Sequence, residues 1–179
     1  MTFVLVTHDQ EEALTLSDKI AVMAAGRVLQ IDTPAGLYEN PANREVAGFI
    51  GNMNFFIGKV TRTGPVMADL QVEGLGHVQV ETSAIRQPQN ARVLLAMRPE
   101  KLTLSLDPPE GALNSVSGTL YTTAYLGGLR QFYVMIDGRA DPVAVSTQNQ
   151  RRAMPQDIEQ GRKIWLSWHN DAFVVLENT

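Results

Sequence analysis

The residues best suited to chemistry stand near the start of the chain: Val6-Thr7-His8-Asp9-Gln10-Glu11-Glu12. Ahead of them, Phe3-Val4-Leu5-Val6 is a continuous run of large apolar residues, the pattern of a strand buried on both faces of an α/β sheet. Asp9, followed three residues later by Glu12, has the spacing of an N-cap and a first-turn carboxylate, and it predicts a helix over residues 10–17. His8 therefore falls between a strand end and a helix start, the place where open α/β sheets bind ligands. An imidazole there can donate a ring N–H to a terminal phosphate. From position alone, a histidine that only satisfies a local hydrogen bond remains the alternative. His8, His77 and His169 share no ligand spacing and the chain has no cysteine, so no metal site is assigned and disulfides are excluded.

The elements around His8 follow from the same reasoning. Residues 19–23 and 27–31 read as two strands about Ala24-Ala25-Gly26, where a glycine can take the left-handed turn conformation. Thr33-Pro34 opens a helix, Pro41 stops it, and Asn43 can cap another through Ile50. After Gly51 the pattern changes to short alternating strands: residues 55–61, 66–72, 78–81, 92–97 and 102–106, then 118–125, 131–136, 143–146, 163–168 and 173–176. Turn residues such as Thr63-Gly64-Pro65, Asp107-Pro108-Pro109 and Asp137-Gly138 separate them. The fold class predicted is mainly β: a small barrel or sandwich over residues 52–179, preceded by a small α/β piece over residues 1–51. The β part divides into two stretches of similar pattern, 55–106 and 115–177. Trp165 and Trp168 cannot face the same side of one strand, so one is expected in the core and the other partly exposed.

Bulk properties narrow the function classes. A hydrophobic fraction of 44% with 19% charged residues predicts a packed core, and no apolar run approaches the ~20 residues of a membrane-spanning helix. A net charge of −4 argues against nucleic acid as a partner, which needs clustered excess cations. A small-ligand or oxyanion-binding module is a second reading. Its cations would have to come from Arg151-Arg152 and Arg162-Lys163, the close basic pairs.

Residues 6–51, VTHDQEEALTLSDKIAVMAAGRVLQIDTPAGLYENPANREVAGFIG, resemble the end of the ATPase domain in ABC importers of the maltose and polyamine group. Met97-Arg98-Pro99-Glu100-Lys101, Tyr125-Leu126-Gly127, Trp165-Leu166-Ser167-Trp168 and Val174-Val175-Leu176 resemble the TOBE domain of those ATPases, closest to the putrescine importers. The resemblance implies an OB-like regulatory domain over 52–179, with His8 as the H-loop residue that contacts the γ-phosphate of ATP. It further implies ATP and Mg as cofactors of the intact protein and none in this chain. The implied partners are a second ATPase subunit, forming a homodimer, and transmembrane permease subunits. The implied location is the cytoplasm, peripheral on the inner face of the cell membrane. The phosphate-cradling Gly-x-x-x-x-Gly-Lys-Ser/Thr loop is not found: Gly58-Lys59 comes nearest, with Met53 and Val60 at the first-glycine and hydroxyl positions. Walker B, signature and Q-loop motifs are not found either. The chain is therefore expected to start just ahead of the last catalytic element and to be inactive alone. Without sheet neighbours, Phe3–Val6 is expected to drive dimerisation, with exchange of N-terminal segments as one form of it.

Overall fold

In a computed structural model, which describes residues 2–111, 114–149 and 158–176, the chain divides into two compact units. The first runs up to Met53 and the second covers Asn54–Val175.

The first unit is built on local caps and turns. Helix α1 (Gln10–Leu16) starts at Asp9, whose Oδ1 accepts from the Glu11 and Glu12 N–H groups at 2.8 and 3.2 Å. Strands β1 (Ile20–Ala24) and β2 (Arg27–Asp32) form an antiparallel hairpin. Its two-residue turn, Ala25-Gly26, has φ of 47° and 74°, the left-handed pair that matches strand twist. Helix α2 (Pro34–Glu39) is capped by Thr33 Oγ1 on the Gly36 N–H, and α3 (Arg44–Phe49) by Asn43 Oδ1 on the Val46 N–H. Ile20, Val22, Leu37, Val46 and Ile50 form the core of this unit. The strand expected over Phe3–Val6 is not formed. The segment has no ladder partner among the described residues, and Val4 and Val6 are 88% and 92% exposed. A buried-type sequence makes a strand only when neighbouring strands satisfy its backbone and cover its side chains.

Among the described residues, the second unit contains ten strands in two five-stranded sheets. The first half of its sequence supplies β3 (Asn54–Thr63), β4 (Met67–Val72), β5 (Gly76–Glu81), β6 (Arg92–Met97) and β7 (Thr103–Ser105). The second half supplies β8 (Asn114–Leu126), β9 (Leu129–Met135), β10 (Val143–Gln148), β11 (Lys163–Trp168) and β12 (Phe173–Leu176). The sheet orders are β12-β6-β3-β4-β5 and β7-β11-β8-β9-β10. Each order repeats the other with the halves interchanged, and each half lends its last strand to the other's sheet. The repetition reaches into detail. The register shifts between Val60 and Arg62 in β3 and between Leu120 and Thr122 in β8. Gly74 and Gly138, with φ of 79° and 81°, turn the chain at equivalent hairpins, and short 3-10 turns at Pro99–Lys101 and Asn170–Ala172 precede the exchanged strands.

A single core joins the halves, from Phe56, Leu70 and Leu95 to Leu120, Phe132 and Ile164. Phe173 of β12 meets Phe56 and Trp168 edge-on at 5.7 and 6.1 Å between ring centroids. Trp168 is buried and Trp165 half-buried, in keeping with their places on opposite faces of β11.

Candidate functional site

Thr7, His8 and Asp9 form the turn that starts α1. The Thr7 hydroxyl donates to Glu12 Oε2 at 2.8 Å and accepts from the Asp9 N–H at 3.0 Å, while Asp9 occupies the first free N–H groups of the helix. These bonds fix the backbone on both sides of His8 and leave the imidazole exposed. Gln10 ties the start of α1 to the end of the unit, accepting from the Gly51 N–H at 3.0 Å. The arrangement presents an exposed imidazole on a turn held by side-chain hydrogen bonds. Leu14 and Ala13 of α1 pack on the core of the first unit, which holds that turn in place.

Of the cations named from the sequence, only Arg162 and Lys163 lie among the described residues. Lys163 lies 5.5 Å above the Trp165 ring, and Arg151-Arg152 fall outside the described residues. A shallow groove of the second unit is lined by Lys59, Glu73, Asn90 and Arg92 among others, but Glu73 Oε1 accepts from Arg92 Nη2 at 3.1 Å. That carboxylate cancels one of the groove's two positive charges. Arg139 stands out among the groups that no pattern in the sequence marks. Its Nη2 donates to the Phe55 carbonyl at 3.0 Å, its guanidinium lies 4.4 Å from the Phe56 ring centroid, and burial lowers its pKa. A charge held on a ring face and a backbone carbonyl is a packing element, and only the folded partners could have revealed it.

Residues 95–176 match the TOBE domain. Along nearly the whole chain, similarity extends further. The spermidine/putrescine import ATP-binding protein PotA of Thermobifida fusca is 39% identical over 176 residues, covering 98% of this chain and 45% of that protein. The putrescine transport ATP-binding protein PotG of Escherichia coli is 35% identical over 179 residues, covering 98% and 46%. Nearly the whole chain is thus similar to part of the polyamine-import ATP-binding proteins, and residues 95–176 of it match the TOBE domain. It spans less than half the length of these relatives, and the part it matches is their C-terminal, TOBE-bearing region. The cytoplasmic molybdate-binding protein ModG superposes with a TM-score of 0.56 at 16% identity, over 68% of this chain and 94% of its own. That likeness concerns the fold: a mainly β, OB-type domain. No described helix is long and apolar enough to cross a membrane.

Proposed function

We propose that this chain acts as the C-terminal part of the ATP-binding subunit of an ABC importer for polyamines, with residues 1–51 closing the nucleotide-binding domain and 52–179 forming the regulatory domain. The observation that carries the reading is the colinear similarity to import ATP-binding proteins over 98% of the chain. The local geometry supports a role for His8, which stands exposed on a turn braced by Thr7, Asp9 and Glu12. In this reading His8 is the H-loop donor to the γ-phosphate, and ATP with Mg is held by parts of the subunit outside this chain. The proposed partners are a second ATP-binding subunit and the permease subunits, at the cytoplasmic face of the membrane. Exposed Phe3, Val4 and Val6 support burial against further sheet strands in the intact subunit, and self-association through residues 1–50 in the isolated chain.

The test is an ATPase assay of the chain joined to the N-terminal part of a relative, beside the chain alone. The joined protein should hydrolyse ATP, and His8→Ala should lower turnover ~100- to 1,000-fold, as loss of one preorganised donor does. The chain alone should stay at background. Near-normal turnover of the joined His8→Ala protein would remove His8 from the mechanism.

A further inference from the structure

Helix α1 carries His8 at its entry, yet it is lightly seated. None of its seven residues is fully buried, and Ala13 and Leu14 pack only partly on the core of the first unit. Ahead of it, Phe3–Val6 has no ladder partner among the described residues. The bonds around His8 are local: Thr7 with Glu12 and Asp9, and Asp9 with the N–H groups of Glu11 and Glu12. They set the shape of the turn but not its place on the unit. Among the described residues, one side-chain hydrogen bond of α1 reaches another element: Gln10 Oε1 accepts from the Gly51 N–H at 3.0 Å, across 41 positions of sequence.

The other end of that bond is firmly anchored. Val46 and Ala47 bury one side of α3, Asn43 caps its start, and Ile50 behind it is fully buried. Gln30 of β2 clamps the chain ahead of α3: its Nε2 donates to the Asn40 carbonyl at 3.0 Å and its Oε1 accepts from the Ala42 N–H at 2.8 Å. α3 closes with the Ile50 N–H on the Val46 carbonyl, followed by Gly51 at φ 73°. In the common left-handed helix ending, the N–H of that glycine turns back to a carbonyl of its own helix. Here the Gln10 side chain takes it instead, so a residue of α1 completes the cap of α3. Three residues after Gly51, Asn54 opens β3 and with it the second unit.

We infer that Gln10 is a positioning residue for His8: it seats the turn that bears the imidazole on the end of α3, and makes that seat answer to residues 51–53, the segment leading into the regulatory domain. The inference rests on the proposed H-loop role of His8 and adds a means of regulating it. A donor to a terminal phosphate works only where its N–H arrives at hydrogen-bond distance, and misplacement by an ångström is costly. A displacement at Gly51 draws on Gln10, next but one to His8, and moves the imidazole without disturbing the caps that shape the turn. Gln10 itself meets no nucleotide; it acts through His8.

The coupling is read in the full chain alone, from the ring resonances of His8 in heteronuclear NMR. Gly51→Ala strains a left-handed backbone and should shift those resonances. In a Gln10→Met background, which keeps the side-chain length and loses the strong acceptor, the same substitution should leave them in place; in a Gln10→Glu background the shift should return. Equal shifts in the native and Gln10→Met backgrounds, or none in either, would overturn the coupling. In the chain joined to the N-terminal part of a relative, Gln10→Met should lower kcat about two- to tenfold, the loss expected of one exposed neutral hydrogen bond, with KM for ATP unchanged. Gln10→Glu should keep kcat near its native value. Native kcat in Gln10→Met, in a joined protein that His8→Ala disables, would overturn the positioning role. Turnover indifferent to His8→Ala would instead strike the H-loop reading, and the ring shifts would then decide the coupling by themselves.

Discussion

Asn54 offers the sharpest test of how the second unit is held closed. It begins β3, it is buried, and its side chain mimics a strand: Nδ2 donates to the Ala144 carbonyl and Oδ1 accepts from the Ala144 N–H, both at 2.8 Å. β3 and β10 belong to different sheets, so this amide substitutes for a ladder where the sheets meet. Asn54→Ala removes both bonds and leaves one N–H and one C=O without partners in a partly buried place. Each such group costs about 1–3 kcal/mol, and partial access to water favours the lower part of that range, so the expected loss is about 2–4 kcal/mol. For a unit of roughly 120 residues, 1 kcal/mol moves the midpoint by about 4 °C, which predicts a fall of about 10 °C. Both tryptophans lie on β11, so fluorescence-monitored melting reads this unit alone. Asn149→Ala is the comparison: it deletes a hydrogen bond of similar length to Tyr125 Oη, but at an exposed position, and should shift the midpoint by under ~2 °C. If the two variants melted within ~3 °C of each other, the argument from unpaired buried backbone would be wrong.

Two further substitutions probe different terms. At Gly118, an added Cβ would stand 2.6 Å from the Met135 carbonyl oxygen and from a Val134 methyl, so Gly118→Ala should cost about 2–3 kcal/mol, measurable by urea unfolding; a cost under ~1 kcal/mol would show that the β8–β9 ladder yields easily. At Asp69, the hydrogen bond from Gln79 Nε2 at 2.8 Å, aided by His77 Nε2 at 3.2 Å, holds the carboxyl below its ordinary value of 3.8. A depressed carboxyl contributes stability above its unfolded pKa and loses it as pH falls through the folded value, so Asp69→Asn should flatten the stability profile below about pH 4 and leave its slope near neutrality unchanged.

Much of the architecture was legible because turn residues and alternation mark strand limits directly. Residues 92–97, 163–168 and 173–176 form strands at the expected bounds, each bordered by a proline, glycine, asparagine or aspartate cluster. Alternation marks β8 only over residues 118–125, missing its first four residues and its last. Asn114, Ser115 and Ser117 carry no apolar alternation, and they join the strand through pairing with Trp168, Ser167 and Trp165 of β11. Phe3–Val6 failed in the opposite sense, with strong strand propensity and no strand to pair with. The turn at His8 was readable from Asp9 and Glu12, because capping is local. The Asn54–Ala144 clamp and the seat of Arg139 on Phe56 join residues 90 and 83 positions apart, and nothing in a one-dimensional pattern selects such partners.

The exchange of last strands has the same origin and the largest consequence. Similarity of the two stretches could be read from their patterns, but alternation says that a segment is a strand without saying whose neighbour it is. β7 has three residues and β12 four, too few to define a sheet position by themselves. Their places are decided by what they meet: Leu104 pairs with Leu166 of β11, and Phe173 packs edge-on against Phe56 and Trp168. Because Phe56 opens the first half and Phe173 comes near the end of the second, the first sheet cannot be completed until almost the whole chain is present. The halves are alike in pattern yet neither is a folding unit, since each lacks the strand that the other holds. Loop closure over more than a hundred residues is then required before the core that rewards it can form, which makes this a slow, cooperative unit rather than two small barrels in series. Side chains that bridge the halves, Asn54 above all, therefore act on the stability of the whole second unit and not on one edge of it.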